Sequence, residues 1–98
     1  MHIAVSWDIT ASGERWTQID ERMRAGIQAY PWVRPLSTFY VVRIYSDADR
    51  MQIQSSLTSV AGSAGVSVHF LITPAMVGGQ YQGYLPADYW TQINERTT

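Results

Sequence analysis

The sequence predicts an α+β domain in which two helices cover one face of an antiparallel sheet. Segments with the two-residue period of strands alternate with segments of helical period, in the order strand, helix, broken strand, helix, strand. The break falls at Trp32–Leu36, where Pro35 cannot donate to a ladder and suits a bulge or an edge, so this segment counts as a strand of its own. The resulting βαββαβ order, with right-handed crossovers, is the pattern of a ferredoxin-like sandwich with both helices on one face.

The first strand is IAVSWDIT, Ile3 to Thr10, in which Ile3, Val5 and Trp7 alternate with Ala4, Ser6 and Asp8. It delivers Asp8 to its end, just before the loop Thr10-Ala11-Ser12-Gly13. A sheet holds the backbone rigid while a side chain at a strand end projects past it, which suits a functional acid. The competing role is structural, with Asp8 accepting hydrogen bonds from nearby loop amides.

Ser12 is placed as the N-cap of the first helix, with Glu14 in its first turn. Trp16, Ile19, Met23, Ile27 and Tyr30 recur at spacings of three and four, an apolar stripe of about four turns that Pro31 stops. Thr17, Asp20, Glu21, Arg24 and Gln28 are assigned to water, with Asp20 and Arg24 one turn apart.

Ser37 to Tyr45, STFYVVRIY, is the strongest strand, rich in β-branched and aromatic residues. Thr38, Tyr40, Val42 and Ile44 form its inner row, and Phe39, Val41 and Arg43 the other. A strand apolar on both faces predicts helices on one side and a partner subunit on the other. Ser46 or Asp47 caps the second helix, with Asp49 in its first turn, and Ile53, Leu57, Val60 and Ala61 are its buried stripe. Arg50 and Gln54 lie near its rim, and Gly62-Ser63-Ala64-Gly65 ends it. Asp47 and Asp49 suit the helix dipole better than a metal.

Val66 to Thr73, VSVHFLIT, is the last strand, ended by Pro74. Val66, Val68, Phe70 and Ile72 share one face, and Ser67, His69, Leu71 and Thr73 the other. His69 is a candidate general base or metal ligand beside a subunit interface; the alternative is a hydrogen-bonded structural histidine. Residues 1–74 thus form the domain, and 75–98 an aromatic-rich extension. In that extension Gly78-Gly79 and Gly83 mark turns beside Tyr81 and Tyr84, and Pro86 opens a short helix carrying Tyr89, Trp90 and Ile93. Its aromatics are expected to dock on the sheet or on a neighbouring subunit, with a stacking platform for unpaired bases as the alternative.

Composition narrows the partners. Charged residues are only 15% of the chain against 46% hydrophobic, which describes a globular domain with little polar surface to spare. The net charge is −1 and every basic side chain is arginine, scattered over seven positions, which argues against tight sequence-independent binding to phosphates. Arg15 and Arg22, with Arg24 at the margin, could share an outer helix face, a patch that a dimer would double. The absence of cysteine excludes disulfides and thiolate metal sites. No glycine-rich loop joins a strand to a helix in a nucleotide-binding pattern. With no apolar run near the about 18 residues of a membrane span and no signal-peptide pattern, a cytoplasmic protein with no membrane partner is expected.

IAVSWDIT resembles the first strand of the small dimeric CRISPR adaptation proteins, the CRISPR-associated endoribonuclease subunit family, in which an acid ends that strand where Asp8 stands. VRPLSTFYVVRI is similar to that family's second segment, with Ser37 and Phe39 in its serine-x-phenylalanine pattern, and to the SinR-like and virulence-associated protein D relatives. The likeness spans residues 2–73 and rests on short motifs. It implies a ferredoxin-like homodimer, with the two copies of Asp8 near the two-fold axis sharing a divalent metal such as Mg²⁺ for RNA or DNA cleavage. On that implication Asp8 is the metal ligand and Ser37 or His69 assists. The chain departs from the family in its few basic residues, in the lack of an evident second acid, and in its tail. The alternative is a non-catalytic dimer, an adaptor, antitoxin-like factor or inhibitor, that holds a protein partner through the tail.

Overall fold

The computed structural model describes residues 1–73 and 82–97. The turns expected at Gly78-Gly79 and beside Tyr81 lie outside them. The chain is α+β, in the order β1 (His2–Ile9), α1 (Gly13–Ala25), β2 (Trp32–Leu36), β3 (Phe39–Arg43), α2 (Asp47–Ser63), β4 (Val68–Thr73) and α3 (Ala87–Thr97). The strands form one sheet in the order β2-β3-β1-β4, and each neighbouring pair is antiparallel.

The alternation in β1 sets the two faces. Ile3, Val5, Trp7 and Ile9 point to one face and line up with Tyr40 and Val42 of β3 and with Val68, Phe70 and Ile72 of β4. This face carries the main core, closed by Ile19, Met23 and Ile27 from the first helical segment and by Ile53 and Leu57 of α2. Ile53 and Leu57 are fully buried, and burial of such a side chain stabilises by about 1.5–3 kcal/mol. The predicted inner row of β3 is thus the inner row.

The stripe on α1 is also as expected, but the helix ends at Ala25, before Pro31. Residues 26–30 continue as tight turns in which the N–H groups of Gly26, Ile27 and Tyr30 bond the carbonyls three residues back. The cause is packing against α2. A β-carbon on Gly26 would stand 3.1 Å from Leu57 and 3.3 Å from Ser56. Glycine lets the two chains approach there and weakens the helix at the same point. Val60 and Ala61 of α2 pack on the core rim. Residues 37–38, expected inside a strand, form the turn of the β2–β3 hairpin.

A second departure is Asp20, which faces the core and is only 3% exposed. Its Oδ1 accepts the Trp7 indole N–H at 3.0 Å, and Arg24 Nε stands 3.6 Å from Oδ2. Trp7 in turn stacks on Tyr40 with ring centroids 4.6 Å apart, and Trp32 meets the same ring edge-on at 5.3 Å. Helical spacing could not distinguish this acid from its exposed neighbours, because what buries it is the length of a tryptophan on another element.

The other face carries Ala4, Ser6 and Asp8 of β1, with Val33, Phe39 and Val41 of the hairpin and His69, Leu71 and Thr73 of β4. Here α3 packs on β2 and β3, burying Ile93 against Val33 and Val41, with Phe39, Leu85, Tyr89 and Trp90 around them. Part of the face that the strand pattern assigned to a partner subunit is therefore covered by the chain's own helix. Among the described residues the β4 side is left open, and Leu71 is 64% exposed.

Two stability predictions follow from this packing. Trp7→Phe keeps a ring on Tyr40 but leaves the Asp20 carboxylate buried without its donor, and should lower the unfolding free energy by about 1–3 kcal/mol in urea titrations. His2 is buried at the start of β1. Its burial first, and the Met1 ammonium second, hold its pKa below the ordinary 6.5. The folded state then binds fewer protons than the unfolded state. This stabilisation is complete above pH 6.5 and is lost as pH falls from there towards the folded value. The stability difference between wild type and His2→Gln should shrink over that range.

Candidate functional site

The antiparallel register of the central strand gathers the three residues singled out in the sequence. Asp8 stands directly opposite His69 on β4. On its other side, the Trp7 N–H bonds the Thr38 carbonyl at 3.3 Å, which sets the hairpin turn Ser37–Thr38 beside the end of β1. Neighbouring strands lie about 4.8 Å apart. Asp8 and His69 are thus paired across two strands, Ser37 lies in the turn on the other side of β1, and all three are exposed. A shallow hollow of about 260 Å³ lies between Ser6, Asp8, His69 and Leu71.

These side chains are neighbours without being coupled. No hydrogen bond or ion pair joins Asp8, Ser37 and His69 to one another among the described residues. The described residues also contain no group of three histidine, aspartate or glutamate side chains that could hold a metal ion. The Mg²⁺ implied by the resemblance would find one carboxylate and one imidazole, and this donor set does not by itself fit a resident ion. Asp47 and Asp49 do local work at the start of α2. Asp49 Oδ2 accepts the Tyr45 N–H at 2.9 Å, and Asp47 lies 3.6 Å from Arg50.

Several arginines have partners within the chain. Arg15 donates towards the Ala64 carbonyl at 3.5 Å and Arg22 to Ser63 Oγ at 2.9 Å, so the predicted basic face of α1 instead ties that helix to the end of α2. Arg24 faces Asp20, and Arg96 donates to the Gln92 carbonyl at 2.9 Å. Arg34 lies 6.0 Å from the centre of the buried Tyr40 ring. Burial pushes the Tyr40 hydroxyl pKa up, and Arg34 partly opposes that. The end of the sheet around Asp8 gains no cationic surround for a phosphate.

A second concavity was only half legible in the sequence. Between α3 and the β2–β3 hairpin lies a groove of about 540 Å³ lined by Pro35, Leu36, Phe39, Tyr84, Leu85 and Trp90, and none of its lining residues carries a charge. Leu36 is 58% exposed and Tyr84 fully so. The dense aromatics of the tail and the Pro35-Leu36 pair were its signals. That they face one another depends on where α3 lands. No protein-family model matches the chain, and no curated protein matches it. Among the described residues no helix is long and apolar enough to cross a membrane.

Because Asp8 is exposed and makes no side-chain bond among the described residues, Asp8→Asn should shift the unfolding free energy by no more than about 0.5 kcal/mol. Thermal denaturation of the two proteins side by side checks this, and so separates any loss of function in the variant from a loss of fold.

Proposed function

We propose that the chain is a ferredoxin-like homodimeric binding module that holds an apolar segment of a protein partner in the groove between α3 and the β2–β3 hairpin. The element order β1-α1-β2-β3-α2-β4, the sheet order β2-β3-β1-β4 and the two helices sharing one core support the fold name. The uncharged lining of the groove carries the function. A concave apolar surface left open to water favours an apolar occupant, and a phosphate backbone would find no counter-charge there.

One arrangement favours a nuclease-like alternative, in which Asp8 holds a divalent metal and His69 or Ser37 assists phosphodiester cleavage. It is the pairing of Asp8 with His69 at the end of the sheet that also carries the Ser37–Thr38 turn. Further donors would then have to come from a second copy or from the substrate itself.

Selection from a random peptide library tests the binding function. Wild type should enrich peptides rich in apolar and aromatic residues, and Leu36→Asp should lose them while keeping the far-UV spectrum of the fold. Enrichment unchanged in Leu36→Asp would remove the groove as the contact. A cleavage assay on RNA and DNA with Mg²⁺ or Mn²⁺ is expected to show no activity. Metal-dependent cleavage that disappears in Asp8→Asn would replace the binding function by the nuclease one.

A further inference from the structure

The two edges of the sheet are built differently. At β2 the ladder is interrupted by a register shift between Val33 and Leu36, and Pro35 has no N–H to offer. Such devices keep a second strand from adding to an edge. At the opposite edge, β4 runs from Val68 to Thr73 without a proline, a charged carboxylate or ammonium, or a bulge, and among the described residues it pairs only with β1.

The hydrogen-bond phase of that edge follows from the register. Thr10 N–H bonds the Ser67 carbonyl at 2.9 Å, so Thr10 and Ser67 are a hydrogen-bonded pair. Alternation along the ladder makes His69, Leu71 and Thr73 the residues that bond inward to β1. The backbone groups of Val68, Phe70 and Ile72 then point outward. The β1–β3 ladder agrees in phase, since Trp7 bonds Thr38 and Ile44 bonds Met1, which leaves the even residues of β1 for β4.

We propose that this edge is the dimer interface: the β4 strands of two copies pair antiparallel about a two-fold axis at Phe70, joining the two sheets into one of eight strands. The occupant is a second copy because the outward groups are self-complementary. With Phe70 opposite Phe70, Val68 comes opposite Ile72 on both sides of the axis, and all three outward residues meet outward residues. Apolar side chains then face apolar ones on the helix side, as cross-strand pairs prefer. The neighbouring symmetric register, centred on Leu71, pairs Phe70 with Ile72 but leaves Val68 with no partner in β4, which ends at Thr73. Pairing of β4 with a β2 edge would build an open chain of copies, and the bulge and Pro35 oppose it. Along the free edge a hollow of about 340 Å³ between Arg50 and Gln54 of α2 and Phe70–Ile72 leaves room beside the strand.

The pairing has a consequence for the candidate site. On the open face His69 of one copy comes opposite Leu71 of the other, in a pair that is not hydrogen-bonded. The row that begins at Asp8 and His69 then continues across the axis into Leu71 and Ser6 of the second copy, which covers the exposed Leu71. This deepens the homodimer proposed above and does not depend on what the groove binds.

Light scattering and disulfide trapping test it on the full chain. The chain contains no cysteine, so introduced thiols can pair only with each other. The α-carbons of non-hydrogen-bonded cross-strand pairs lie about 4.5 Å apart, within disulfide range. Wild type should run at twice the monomer mass. The double variant His69→Cys/Leu71→Cys should trap quantitatively as a covalent dimer under mild oxidation, whereas each single variant should not. A covalent dimer from Leu71→Cys alone would overturn the register by placing Leu71 on the axis. A dimer by mass whose double variant does not trap would overturn the β4 interface and leave the homodimer standing, and a monomer would overturn both.

Discussion

The Trp7–Asp20 hydrogen bond fixes the rest of the molecule. Trp7 lies on the central strand, and its indole reaches a carboxylate on α1 while its ring lies flat on Tyr40 of β3. One side chain therefore sets the height of the first helix above the sheet and its rotation about its own axis. A carboxyl group this deep is tolerable only with polar partners, and Trp7 and Arg24 stand beside it. Rotating α1 by one residue would bury Glu21 or Ile19 against the indole and leave a charge or a donor unpaired. The contact thus selects one arrangement of helix on sheet from among several that the apolar stripe alone would permit.

With α1 and α2 held on one face, the opposite face is where the surface can differ from a plain scaffold. It divides in two. Over β2 and β3 it is sealed by α3, whose Tyr89, Trp90 and Ile93 complete a small second core and leave a groove at its margin. Over β1 and β4 no described element covers it, and it carries Asp8, His69 and Leu71 side by side. The two halves offer different chemistry, one uncharged and concave, the other a shallow mixed row. No arginine is among the lining residues of the groove or of the hollow at Asp8, and Arg15, Arg22 and Arg24 reach the end of α2 or the buried acid instead.

Much of this could be read from the residues. The alternation of Ile3, Val5 and Trp7 named the inner face of β1, and that of Tyr40, Val42 and Ile44 named the inner face of β3, because a half-buried strand shows its period directly. The short helix after Pro86 was legible from Pro86 and the spacing of Tyr89, Trp90 and Ile93. What escaped depends on contacts between distant segments. Asp20 looked solvated because helical spacing does not see an indole thirteen residues away. The end of α1 was misplaced because Gly26 is explained by α2, which follows it in the chain. For the candidate site, Asp8 and His69 were each visible as strand residues, but only the pairing register makes them neighbours. The edge of β4 was invisible, since which strand lies outermost is a property of the order β2-β3-β1-β4 and not of any one segment.

The central claim is that the fold leaves this one edge open for a second copy, and amide hydrogen exchange along β4 tests it most directly. In a paired edge the outward amides of Val68, Phe70 and Ile72 should exchange as slowly as the inward amides of His69 and Leu71, and should become fast on dilution that separates the copies. Outward amides that exchange rapidly at every concentration, beside inward amides that remain protected, would contradict the claim and show an edge that faces water.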